Sequence, residues 1–200
     1  MKSVGIGMTR LLTVIATAAA LFAGLGSAAA DQEFNPFQQL FGGGNSYSGS
    51  GAGPIPRTTV NFASDYAPGT IVVDTKERRL YLVQDGGRAL RYGIGVGRDG
   101  FRWGGTHRIT AKKEWPEWTP PSQMLARRPD LPRHMKGGPD NPLGARAMYL
   151  GSTLYRIHGS SEPETIGQAV SSGCFRMVND DVIDLYSRVQ VGATVIVKNN

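Results

Sequence analysis

The chain has a single cysteine, and its neighbours are those of a reactive thiol rather than a core one. Cys174 sits in Ser171-Ser172-Gly173-Cys174-Phe175-Arg176-Met177. A structural cysteine behaves as a small hydrophobe among apolar residues. Here small polar residues precede it and Arg176 follows. A nearby guanidinium favours the thiolate, the form that attacks carbonyls. A thiol also needs a base to take its proton and later return it to a leaving amine. Of the three histidines, His158 is the best candidate, because it ends the strand-like run Leu154-Tyr155-Arg156-Ile157. A strand end holds a side chain firmly, and a backbone carbonyl near Gly159 or Ser160 can orient the ring. His107 and His134 are alternative bases that read more naturally as loop surface. The amides of Gly173 and Cys174 can point at a developing oxyanion. Arg176 can grip a substrate carboxylate with two prongs. Ser172, Trp115 and Trp118 are candidate substrate contacts. The competing reading is an inert cysteine, a solvated arginine and tryptophans that pack loops.

Composition narrows the chemistry. One cysteine excludes a disulfide within the chain and any Cys-rich zinc site. The formal charge of +6 over 200 residues is a mild basic excess. It does not call for nucleic acid. At the N-terminus, Lys2 and Arg10 precede an apolar run from Leu11 to Leu25, then Ala28-Ala29-Ala30. This is the pattern of a secretory signal peptide over 1–30, leaving no stable membrane span once cleaved. Its removal lowers the basic excess further. A free thiol in an exported chain is a liability, which favours a functional one. Residues 31–60 are polar and Gly/Ser-rich and read as a flexible linker.

The folded part is expected over 61–200. Thr70 to Asp74, Arg79 to Gln84 and Ala89 to Val96 are short β-rich runs with turn residues between them, a β-meander. Gly93, Gly95 and Gly97 alternate along one run and mark a place of close approach. Residues 98–147 are proline-rich and irregular, with one short helix at Ser122 to Arg128, and read as a functional insertion. Strand-like runs resume at Met148-Tyr149-Leu150 and Leu154 to Ile157. Pro163 to Val170 reads as a short helix. A clearer helix follows, capped by Asn179 or Asp180, with Val182, Ile183, Leu185, Tyr186 and Val189 as its buried face. Ala193 to Val197 is a last strand.

His158-Gly159 followed by Ser172-Gly173-Cys174-Phe175-Arg176-Met177 resembles the signature of L,D-transpeptidases with a YkuD-type catalytic domain. Thr70 to Leu82, Gly93 to Gly97, Asn141-Pro142-Leu143-Gly144 and Ala147-Met148-Tyr149-Leu150 fit the same family, so the resemblance spans roughly 66–198. Many members carry His where this chain has Ser172. The resemblance implies a mostly β, sandwich-like domain with a few short helices and a lid loop, here about 98–147 with Trp115 and Trp118 on it. It implies Cys174 as nucleophile, His158 as general base and acid, Gly173 as an oxyanion-hole amide and Gly159 as the backbone that orients His158. Arg176 would orient the Cys loop or a substrate carboxylate. The substrates would be peptidoglycan stem peptides in the periplasm, joined into 3→3 cross-links through a thioester, with neither metal nor organic cofactor. Carbapenems would acylate the same thiol.

Alternatives share that thioester. Water would make an L,D-carboxypeptidase, a free D-amino acid an exchange enzyme, and an amine of an envelope protein an attachment enzyme. A non-catalytic envelope-binding protein is the reading from a different class. A papain-like peptidase fits poorly, because His158 precedes Cys174 in the chain.

Overall fold

The computed structural model describes residues 53–199. The expected signal peptide, and the linker up to residue 52, lie outside the described residues. No helix among the described residues is long and apolar enough to cross a membrane.

The strands are β1 (Thr58–Asn61), β2 (Ile71–Asp74), β3 (Arg79–Gln84), β4 (Arg88–Gly93), β5 (Val96–Gly97) and β6 (Gly105–Glu114). Helix α1 (Ser122–Arg127), β7 (Arg146–Leu150) and β8 (Arg156–His158) follow. A 3-10 turn (Pro163–Thr165), β9 (Ala169–Ser171), β10 (Phe175–Arg176), α2 (Asn179–Arg188) and β11 (Thr194–Lys198) complete the order. Nine strands form one sheet in the order β1-β4-β3-β2-β11-β6-β7-β8-β10, and β5 pairs with β9. The domain is therefore mostly β with few short helices, as the sequence leads one to expect.

The β2-β3-β4 meander follows from local chemistry. Ile71-Val72-Val73 is β-branched and buried. Gly86 and Gly87 carry φ of 71° and 66°, the backbone that a tight hairpin turn between twisted strands requires. The long strand β6 joins the two halves of the sheet. Its residues from Gly105 to Arg108 pair with β11, and those from Ile109 to Glu114 pair with β7. A register shift between Ile109 and Ala111 marks the changeover, where a bulge bends the strand. The main core lies between the halves and α2, with Ile71, Leu80, Tyr92, Met148, Ile157, Phe175, Leu185 and Val195 all fully enclosed.

Four expectations need correction. The fold begins before residue 61: β1 pairs with β4, and Arg57 reaches Asp181 and Asp184 on α2 at 3.4 and 3.2 Å. The region 98–147 is not irregular throughout, because β6 occupies its first part. Of the ten residues of β6 only Ile109 is fully buried, so the strand carries little apolar alternation. Pro163 to Val170 makes one 3-10 turn and no helix. Gly167 has φ of 90°, which ends the turn, and its amide donates to the Ile94 carbonyl at 3.0 Å. The α2 helix has no side-chain cap, since the Asn179 carbonyl oxygen serves two amides elsewhere, and Ile183 is 40% exposed.

What remains of the insertion is an excursion between β6 and β7. It has a small core of its own, made of Trp118, Leu131 and Leu143 with Met124, Leu125 and Met135 packed against it. Backbone bonds between Trp118 and Met135, at 2.9 and 2.7 Å, close it. The buried Asn141 carboxamide donates to the Pro116 and Lys136 carbonyls at 3.1 and 2.9 Å and accepts from the Leu143 amide at 2.9 Å.

Candidate active site

Strand pairing puts the chemical groups together. β8 and β10 run parallel, with Phe175 opposite Ile157 and Arg176 opposite His158. Side chains alternate faces along a strand. Ile157 and Phe175 are buried in the core, at 0% and 1% exposure. The other face therefore carries Arg156 and His158 from β8, with Cys174 and Arg176 beside them. These four residues line a cavity of about 370 Å³, together with Ser172, Trp118, Leu154, Tyr155 and residues of α1.

His158 is nearly fully buried. Its Nδ1 lies 2.6 Å from the Gly159 carbonyl oxygen. A carbonyl only accepts, so Nδ1 carries the proton of the neutral ring and Nε2 the lone pair. Burial, reinforced by the Arg176 charge, lowers the ring's pKa to about 3, against the opposing pull of the Gly159 and Leu143 backbone. The imidazole is thus neutral across the physiological range, with the Nε2 lone pair unprotonated.

Cys174 is half-buried. Its Sγ lies 3.8 Å from the Leu154 carbonyl oxygen and is not hydrogen-bonded to the His158 ring. Burial pushes the thiol pKa up, and the neighbouring Arg156 pulls it back. The turn that presents it is clamped on both sides. Ser171 Oγ accepts from the Gly173 amide at 3.1 Å and donates to the Cys174 carbonyl at 2.6 Å. Trp103 Nε1 donates to the Gly173 carbonyl at 2.6 Å, and its ring stacks on Tyr155 at 4.3 Å. Gly173 has φ of 105°, and a Cβ there would run into the Tyr155 ring. Only glycine fits that position.

Several expected roles shift. The Gly173 amide is already bound to Ser171 and does not face the cavity as an oxyanion donor. Arg176 is only 3% exposed; its guanidinium meets Glu162 Oε2 at 3.2 Å and Thr165 Oγ1 at 3.3 Å. Its donors are engaged inside the fold, so it is poorly placed to grip a substrate carboxylate. Trp118 lines the cavity, whereas Trp115 is 45% exposed and lies outside the lining. His107 packs against the edge of Trp103, and His134 lies near Thr119 and Glu117; neither lines the cavity. No group of three or more His, Cys, Asp or Glu side chains fit to hold a metal occurs among the described residues.

The model for the YkuD L,D-transpeptidase catalytic domain matches residues 68–197. The chain belongs to this L,D-transpeptidase family. Among its relatives, the probable L,D-transpeptidase YbiS of Escherichia coli is 40% identical over 134 residues, covering 62% of this chain and 43% of that protein. The putative L,D-transpeptidase YqjB of Bacillus subtilis is 30% identical over 137 residues, covering 65% of this chain and 71% of that protein. The match thus spans less than half the length of the Escherichia coli relative. An L,D-transpeptidase structure from Mycobacterium smegmatis shares the fold, with a TM-score of 0.52 at 20% identity over 65% of this chain and 58% of its own. A Brucella melitensis structure, named for a different activity as a probable carnitine operon oxidoreductase, is 49% identical over 70% of this chain and 91% of its own, with a TM-score of 0.50.

Within this L,D-transpeptidase domain, four residues escaped sequence reasoning. Arg156 precedes His158 by two on a strand, and that spacing alone places both on one face. Glu162 gave no signal: it stands before Pro163, where a helix start is the natural reading. It is 4% exposed, and burial lifts its pKa to about 7 against the opposing Arg176 charge. Trp103 and Asn179 hold the site through contacts distant in sequence, which no local pattern announces.

Proposed function

We propose that this chain is an exported cysteine L,D-transpeptidase acting on peptidoglycan tetrapeptide stems. The observation that carries the reading is the shared face of β8 and β10. It sets the lone thiol and a neutral, backbone-oriented imidazole in one cavity of about 370 Å³.

In the proposed reaction, Cys174 Sγ attacks the carbonyl that precedes the terminal D-alanine of a donor stem. The thiol proton passes to His158 Nε2 as the S–C bond forms. The resting pair is a neutral thiol and a neutral imidazole, so proton transfer accompanies attack. With the Gly173 amide engaged, the Cys174 amide is the donor assigned to the oxyanion. The C–N bond then breaks, and His158 returns the proton to the departing amine. The side-chain amine of a diaminopimelate on a second stem attacks the thioester. It displaces the thiol and leaves a 3→3 cross-link. The signal peptide at 1–30 and the linker that follows would deliver this domain to the periplasm, where the substrate lies.

Muropeptide mass spectrometry after incubation with a disaccharide-tetrapeptide tests the reading. The expected products are a cross-linked dimer and a Cys174 acyl adduct, both lost in Cys174→Ala. Wild-type protein that forms neither product, and that matches Cys174→Ala, refutes it. A tripeptide alone would identify water as the acceptor.

A further inference from the structure

Arg176 is occupied by Glu162, yet the cavity retains an unneutralised positive charge beside the nucleophile. The geometry points to Arg156 as the residue that holds the donor's terminal carboxylate next to the scissile amide. This assignment rests on the transpeptidase reading for its substrate, but not for its chemistry.

Four observations carry it. Arg156 stands two residues before His158 on β8, on the same face, and lines the cavity with Cys174. Its charge draws down the thiol pKa that burial raises. The group is also held but not saturated. Nη1 donates to the Leu154 carbonyl at 3.0 Å, and Cζ lies 5.0 Å over the Tyr149 ring. Nε is enclosed and has no hydrogen-bond partner. A guanidinium offers five N–H donors in a fork shaped for a carboxylate. Finally, the lining contains Arg127, Arg156 and Arg176 and no Asp or Glu. Glu162, behind the lining, matches Arg176. Among the described residues no carboxylate pairs with Arg156 or Arg127, and Arg127 lies over the Phe101 ring at 5.2 Å.

Donor chemistry supplies the missing anion. In a stem that ends in an amino acid, one carbon separates the leaving nitrogen from the terminal carboxylate. A thiol placed to attack the preceding carbonyl therefore has that carboxylate close by. A cation adjoining Sγ and free of a carboxylate meets it, and one already held by Glu162 does not. The same contact selects donors that end in a free acid.

Iodoacetate and iodoacetamide test this without turnover, since they alkylate the same thiol and differ in one carboxylate. The preference of Cys174 for iodoacetate over iodoacetamide, followed by intact mass, should exceed that of a free thiol such as N-acetylcysteine. It should fall by about tenfold to a hundredfold in Arg156→Gln, the worth of a charge-assisted hydrogen bond, and recover in part in Arg156→Lys. In the wild type, N-acetyl-D-alanine should slow alkylation by iodoacetamide, and N-acetyl-D-alaninamide should not. That second measurement does not depend on whether the variants fold. An unchanged preference in folded Arg156→Gln, or equal protection by acid and amide, overturns the assignment. A carboxylate bias that is lost in Arg156→Gln, in a protein that makes no muropeptide product, refutes the transpeptidase reading and leaves Arg156 as a carboxylate-binding residue beside the thiol.

Discussion

Replacing Asn179 by alanine should loosen the support beneath His158. The Asn179 side-chain oxygen accepts from the Ala145 amide at 2.9 Å and from the Ser160 amide at 3.3 Å. Ala145 is 1% exposed and Ser160 4%, so water does not readily replace the lost acceptor. A buried amide left without a partner costs about 1–3 kcal/mol. The Ser160 contact is the longer one, which sets the loss at about 2–4 kcal/mol for the pair. For a domain of this size that is roughly a 5–15 °C fall in Tm. Asn179→Asp keeps the acceptor and places a negative charge at the start of α2, where a helix favours it, so its Tm should stay near wild type. The same oxygen fills the space that a Cβ at Gly159 or Gly144 would need. Gly159→Ala should therefore cost less in the Asn179→Ala background than in the wild type, a coupling that a double-mutant cycle reads directly. Calorimetry of the four proteins of that cycle, with Asn179→Asp beside them, is the assay. An Asn179→Ala protein that melts within a degree of wild type refutes the reasoning. So does an Asn179→Asp protein as unstable as Asn179→Ala.

Iodoacetamide should alkylate Cys174 slowly at pH 5–6 and faster above neutrality, because His158, with its pKa lowered to about 3, does not hold a thiolate as an ion pair; a rate plateau from pH 4 to 7 would contradict this. His158 binds fewer protons folded than unfolded between pH 3 and 6.5, so its contribution to stability rises with pH there. Glu162, with its pKa raised to about 7, holds its proton longer when folded, so its contribution falls from about pH 4.5 to 7. Glu162→Gln should therefore steepen the gain in stability between pH 4.5 and 6.5, by up to about 1.4 kcal/mol per pH unit. Denaturation at several pH values checks this, and an unchanged slope counts against it. Trp103→Phe removes the indole bond to Gly173 and keeps an aromatic ring against Tyr155, so it should cost about 1 kcal/mol by denaturant titration.

The elements most legible in the sequence are those whose signal is local. Thr70 to Gln84 shows a β-branched run, a turn and a second β-rich run, and it folds as β2 and β3. Val182, Leu185 and Val189 repeat at helical spacing, and α2 with the residue that ends it buries them. The thiol and imidazole were legible from the residues around them and their order in the chain. The remainder depends on partners far away in sequence. β6 lies between two strands, yet its exposed face carries Arg108, Thr110 and Glu114, so its alternation is diluted. Asn179 looks like a helix cap until the folded chain offers it the Ala145 and Ser160 amides. Arg176 looks like a substrate ligand until Glu162 comes to meet it. A buried ion pair leaves no periodic trace.

The position of β11 bears on how the domain is born. This strand, the last of those described, lies between β2 and β6, parallel to one and antiparallel to the other. Until Thr194–Lys198 has been synthesised, β2 and β6 each lack a neighbour, and the halves of the sheet have no seam. A growing chain therefore cannot close this fold before that strand has emerged. Trimming these five residues should abolish the domain rather than shorten it.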